Sequence, residues 1–157
     1  MPFIDALTML SGTVNPANNA MSGQTLSGSS PVLSTNAMDL GASHDLRSST
    51  FQFQVTQAFA GPATVEMQLV GADDAATSVN VMVLATTGPI PLAQLVQGAR
   101  FIAEMNADLN GRGRRYVAAR YVPTGSAISA GAVICSAVAD VSDPAKSNIF
   151  ATSYTVL

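Results

Sequence analysis

A chain of 157 residues with 10 acidic and 7 basic side chains is long enough for one domain with its own core, and its net charge of −3 offers no general attraction for nucleic acid or an anionic membrane. Its single cysteine, Cys135, cannot form an intramolecular disulfide and has no soft metal ligand beside it, so its apolar alternating surroundings predict an inert buried thiol. Only 11% of the residues are charged, against roughly 25% in an ordinary soluble domain, so Ser, Thr, Asn, Gln and Ala must cover a surface poorly suited to keeping protein copies apart.

Residues 1–10, MPFIDALTML, set Phe3, Ile4, Leu7 and Leu10 at helical spacing behind Pro2, which predicts a short amphipathic arm. Such an arm either folds back on its own domain or anchors on a neighbour, and in the second case Phe3, Ile4 and Leu7 are partner contacts. No basic stretch leading into an apolar run opens the chain, and no apolar run approaches the ~18 residues of a membrane span, so the expectation is a protein made and used without secretion or insertion. From Ser11 to Pro31 the composition turns to Ser, Gly, Asn and Thr, which predicts an extended or flexible linker. The domain expectation is therefore an arm and linker over 1–31 and a β-sandwich over 32–157.

Beyond Pro31 the period becomes two. Phe51, Phe53 and Val55 alternate with Gln52, Gln54 and Thr56, and Val65, Met67 and Leu69 alternate with Thr64, Glu66 and Gln68, predicting half-buried strands joined by a turn at Gly61-Pro62. Asp73-Asp74 mark a loop. The run VNVMVLATTG is apolar on both faces, as for a strand covered on both sides, and PIPLAQLVQG, with Pro91 at its start and Gly98 at its stop, predicts one short connecting helix. RFIAEMNAD and RRYVAARYVPTG flank Asn110-Gly111 as the arms of a hairpin; ISAGAVICSAVADV and SNIFATSYTVL close the series. The expected fold is all-β, a jelly-roll-like sandwich of about eight antiparallel strands.

Linear motifs for phosphate cradles, nucleophile elbows and paired thiols are missing. His44 beside Asp45 falls short of the three or four ligands a metal requires, and adjacent strand residues point apart. Asp39, Asp45, Glu66, Glu104, Asp108, Asp140 and Asp143 could supply a glycosidase pair, but a chain with no Trp and 6% aromatic residues has few stacking platforms for sugar. The expectation is no enzyme, no cofactor and no metal. The uneven feature is Arg112, Arg114, Arg115 and Arg120, which with Arg100 hold most of the positive charge. Arginine forks suit an acidic partner or a subunit interface; the alternative is a solvated loop paired with Glu104 and Asp108.

Three segments, STNAMDLG at 34–41, TTGPIPLAQLVQGARF at 86–101 and RRYVAARYVPTGSAISAGAV at 114–133, resemble the cement (capsid-decoration) proteins of tailed bacteriophages, of the Bordetella-phage type. The resemblance spans most of residues 32–140. It implies a jelly roll that oligomerises on the outside of an icosahedral head and clamps neighbouring major capsid proteins, made in the host cytoplasm and carried on the virion. Bridging capsomers would favour a homodimer or homotrimer. The fold class alone allows another reading, a glycan- or receptor-binding module.

Overall fold

The computed structural model describes residues 9–39, 49–105 and 114–138. Their strands are β1 (Met9–Ser11), β2 (Thr13–Val14), β3 (Met21–Ser22), β4 (Gln24–Thr25), β5 (Val32–Leu33), β6 (Met38–Asp39), β7 (Ser49–Ala60), β8 (Thr64–Ala72), β9 (Met82–Pro91), β10 (Arg100–Met105), β11 (Tyr116–Thr124) and β12 (Ala130–Val138). One sheet runs β1-β12-β7-β10, with β4 also on β12; the other runs β5-β11-β8-β9, with β6 also on β11; β2 and β3 form a separate hairpin. Every pairing is antiparallel.

The strand order identifies the architecture. β7 occupies one flank of β12 along its length, so β1 and β4 share the other; likewise β8 leaves β5 and β6 to share one flank of β11. Counting each shared flank as one interrupted strand leaves eight positions in chain order, arranged 1-8-3-6 in one sheet and 2-7-4-5 in the other. This interleaving of first with last is the double Greek key of a jelly roll.

Alternation chooses the inner faces. Phe51, Phe53 and Val55 of β7, Val65, Met67 and Leu69 of β8, and Val117, Ala119 and Tyr121 of β11 are fully buried, and Val133 and Cys135 of β12 join them. Phe53 and Tyr121 meet across the two sheets edge to face, with ring centroids 6.0 Å apart and planes at 86°. Tyr121 Oη donates a buried hydrogen bond of 2.7 Å to Ser11 Oγ, tying β11 to β1 of the opposite sheet. Burial pushes the Cys135 thiol well above its ordinary range, which keeps it protonated and inert as its surroundings predicted. At the Gly61 turn φ is +106°, and a Cβ there would strike the Ala127 carbonyl oxygen, so only glycine fits.

Several expectations change. The described end of the supposed helical arm, Met9 and Leu10, is strand β1, because the open flank of β12 offers backbone partners and core contact that a short helix lacks; Phe3, Ile4 and Leu7 lie outside the described residues. The expected linker is part of the sandwich. Its hairpin turn is held by Asn15 and Asn18, whose side-chain oxygens accept from the Ala17 and Ala20 amides, β4 pairs with β12, and Leu26 is 1% exposed. The short helix contracts to a 3-10 turn, Leu92–Gln94, since Leu95 leaves helical geometry to bury its side chain. The run expected to be covered on both faces is instead an edge strand, with Val79, Val81 and Val83 exposed. Finally, β10 pairs with β7 while β11 pairs with β8, β5 and β6, so the two are not arms of one hairpin. Asn110-Gly111, His44-Asp45 and the run at 147–157 lie outside the described residues.

Candidate interaction surface

The outer face of the β5-β11-β8-β9 sheet carries a continuous polar chain. Arg120 Nε donates to Gln68 Oε1 at 2.8 Å, Gln68 Nε2 donates to Glu66 Oε1 at 2.8 Å, and Thr86 Oγ1 donates to the same oxygen at 2.6 Å. The chain crosses β11, β8 and β9 because Arg120 sits opposite Gln68 and Gln68 opposite Thr86 in the ladders. Hydrogen bonds from Gln68 and then Thr86 hold the Glu66 carboxyl below the usual carboxylate range, with desolvation opposing them and Arg120 adding to them.

This shift has a pH consequence. A depressed folded-state value means that the stabilisation is complete above the unfolded carboxylate range and is lost as pH falls through the lower folded value. Acid unfolding of Glu66→Gln should therefore have a shallower slope below the ordinary carboxylate range than that of the parent chain, with little difference at neutral pH. Identical acid slopes would mean that the ladder does not couple to folding.

Beside this face stand two of the arginines picked out by sequence. Arg115 grips Asp39 of β6 with both arms, Nε to Oδ1 at 3.0 Å and Nη2 to Oδ2 at 2.9 Å, while its guanidinium carbon lies 5.1 Å from the Tyr116 ring centroid. Arg114 reaches Asp73 at 3.4 Å, and Asp73 also accepts from Asn80 Nδ2 at 2.6 Å. Arg112 and Asp108 lie outside the described residues. The carboxylates expected from sequence were Glu104 and Asp108; the partners found are Asp39 and Asp73, because β10, which carries Glu104, belongs to the other sheet. The Arg115–Asp39 pair faces solvent, with side-chain exposures of 58% and 44%, whereas the Arg114 side chain is 29% exposed and its Nε is buried without a hydrogen-bond partner. A solvent-screened pair such as Arg115–Asp39 adds little to stability, so exchanging the internal carboxylate for an external one costs little.

A second surface, unforeseen in the sequence reading, is apolar. Val79, Val81 and Val83 are 48%, 38% and 46% exposed on and beside β9. The available signal was charge: no Asp, Glu, Lys, Arg or His occurs between Asp74 and Arg100. Among the described residues no group of three or more His, Cys, Asp or Glu side chains is placed to hold a metal ion, and no helix is long and apolar enough to cross a membrane.

A family model described as Bbp16 matches residues 18–138, well over half of the chain, and the chain belongs to that family. The match begins inside the segment whose composition reads as a linker, where β3 and β4 lie. No curated protein matches the chain.

Proposed function

We propose that this Bbp16-family chain is a structural virion protein that binds the outer surface of an icosahedral phage head and cements neighbouring major capsid proteins, acting as a homodimer or homotrimer after synthesis in the host cytoplasm. The observation that carries the reading is where the cement-like segments fall in the jelly roll. They supply β6, the second half of β9 with the start of β10, and β11 with the start of β12, and they hold Arg114, Arg115 and Asp39, three of the four members of the arginine pairs.

The physics of cementing needs no reactive group. A protein that binds the assembled shell and not its separated subunits stabilises the shell by mass action, and several simultaneous weak contacts raise the effective affinity steeply. A surface poor in charge lowers the desolvation cost of such contacts. Arg114 and Arg115, with Arg112 nearby in sequence, offer planar forks to capsid carboxylates once released from Asp73 and Asp39. In the same reading Phe3, Ile4 and Leu7 form an apolar anchor for a neighbouring subunit.

Purified, washed virions should contain the chain in fixed stoichiometry to the major capsid protein, and its absence from them would refute the assignment. A double variant, Arg114→Glu with Arg115→Glu, should bind heads at least tenfold more weakly. Its thermal midpoint should fall far less than that of a core truncation, because both pairs lie at the surface, where solvent screening leaves them little stabilisation to lose. Undiminished binding would remove the arginines from the capsid contact.

A further inference from the structure

The two arginines that lead into β11 look alike in sequence and are held differently. Arg115 is well partnered: it closes on Asp39 with bonds of 3.0 and 2.9 Å, and its guanidinium lies over the Tyr116 ring. Arg114 makes one contact, from Nη1 to Asp73 Oδ1 at 3.4 Å, and its Nε is buried with no hydrogen-bond partner. A strong pair between charged groups has a separation of about 2.7–2.9 Å, so this contact is a weak one. Asp73 is not free to close the gap. Its Oδ2 accepts from Asn80 Nδ2 at 2.6 Å, and its amide donates to the Val79 carbonyl at 3.1 Å.

The stem of Arg114 is fixed as well. A Cβ on Gly71 of β8 would stand 3.0 Å from Arg114 Cβ, 3.1 Å from its Cγ and 3.1 Å from Leu84 Cδ1 of β9, so the side chain missing at Gly71 is the slot that the stem fills beside Leu84. The result is a fork with its head partly at the surface and one donor inside without an acceptor. Buried donors left unpaired are costly and rare in folded chains. An acceptor from outside that draws the fork outward removes this cost and allows a two-armed pair of the kind Arg115 makes with Asp39. The neighbourhood selects the acceptor. A single carboxylate, the group the fork already faces, meets less repulsion from Asp73 and Asp39 than a phosphate dianion does.

We infer that Arg114 is the carboxylate receptor of this surface, taking an acidic side chain of the major capsid protein, while Arg115 stays a clamp that holds β6 beside the start of β11. This rests on the cement reading for the identity of the partner and narrows its contact from two arginines to one.

The test sets Arg114→Met against Arg115→Met in the full chain, reading binding to phage heads that lack the chain together with the urea midpoint. Methionine keeps an apolar stem against Gly71 and Leu84 and removes the buried donor. Arg114→Met should therefore weaken head binding at least tenfold while its urea midpoint stays at or above that of the parent. Arg115→Met should bind heads within about threefold of the parent. A midpoint that falls together with binding on Arg114→Met would make Arg114 structural, and equal losses of binding from the two variants would erase the distinction; either overturns the proposal. A probe that needs no head separates its failure from that of the cement reading. A short polyglutamate peptide should shift the Arg114 Nε–H resonance and leave that of Arg115 in place, and inorganic phosphate at equal ionic strength should shift neither. A chain that answers polyglutamate in this way but ignores heads sinks only the cement reading. One that binds heads undiminished as Arg114→Met, shows no response at Arg114, or answers phosphate instead sinks only the carboxylate receptor.

Discussion

Removing residues 1–31 is expected to abolish the fold and not merely to free the domain of a tether. Leu10 and Leu26 are each 1% exposed within the main core, and β1 and β4 are the only described strands on the second flank of β12. The deletion also takes Ser11 from beneath Tyr121 Oη, leaving a buried hydroxyl without its partner. Truncating one buried leucine to alanine costs about 2–5 kcal/mol, and a domain has roughly 5–15 kcal/mol in total, so two leucines and the backbone pairing of β12 together exceed what it can lose. Leu10→Ala and Leu26→Ala should each lower the urea midpoint by a comparable step. A shortened chain that still unfolds cooperatively at the parent midpoint would restore 1–31 to the role of a flexible arm.

That segment also shows why the sequence was legible in its middle and not at its ends. Where a strand is long and wets one face, as in Phe51-Gln52-Phe53-Gln54-Val55, the period of two is a direct record of burial, and the inner residues of β7 and β8 were readable from it. A two-residue strand such as β4 holds one turn of the pattern, so Leu26 stands alone among Ser, Gly and Thr, and only β12 gives it meaning. The topology has the same origin. Asn110-Gly111 is a sound local turn signal, yet in a jelly roll the strands before and after that connection belong to opposite sheets, a long-range choice that no dipeptide encodes. Arg114 and Arg115 were visible as a cluster, whereas their partners followed from that topology and were not. The apolar edge was hidden by the opposite error: VNVMVL reads as buried on both faces, because hydropathy cannot tell a central strand from an exposed edge.

Phe53→Ala should be the most destabilising single substitution in the core. Its ring is fully buried on the central strand β7 and stands edge to face against Tyr121 of the facing sheet, so truncation opens a cavity at the place where the two sheets hold each other. A buried Phe→Ala change costs about 3–5 kcal/mol, which at roughly 2–4 °C per kcal/mol lowers the thermal midpoint by some 6–20 °C. Tyr121→Phe provides the comparison. It keeps the aromatic pair and removes only the hydroxyl, leaving Ser11 Oγ buried and unpaired, at a cost of about 1–3 kcal/mol. The order of the two losses decides what binds sheet to sheet. A larger loss from Phe53→Ala assigns the cohesion to packing, with the hydroxyl pair fixing how β1 lies against β11. If Tyr121→Phe were the more damaging, the inter-sheet hydrogen bond and not the aromatic contact would be the principal tie, and the short strand β1 would become the element on which the jelly roll depends most.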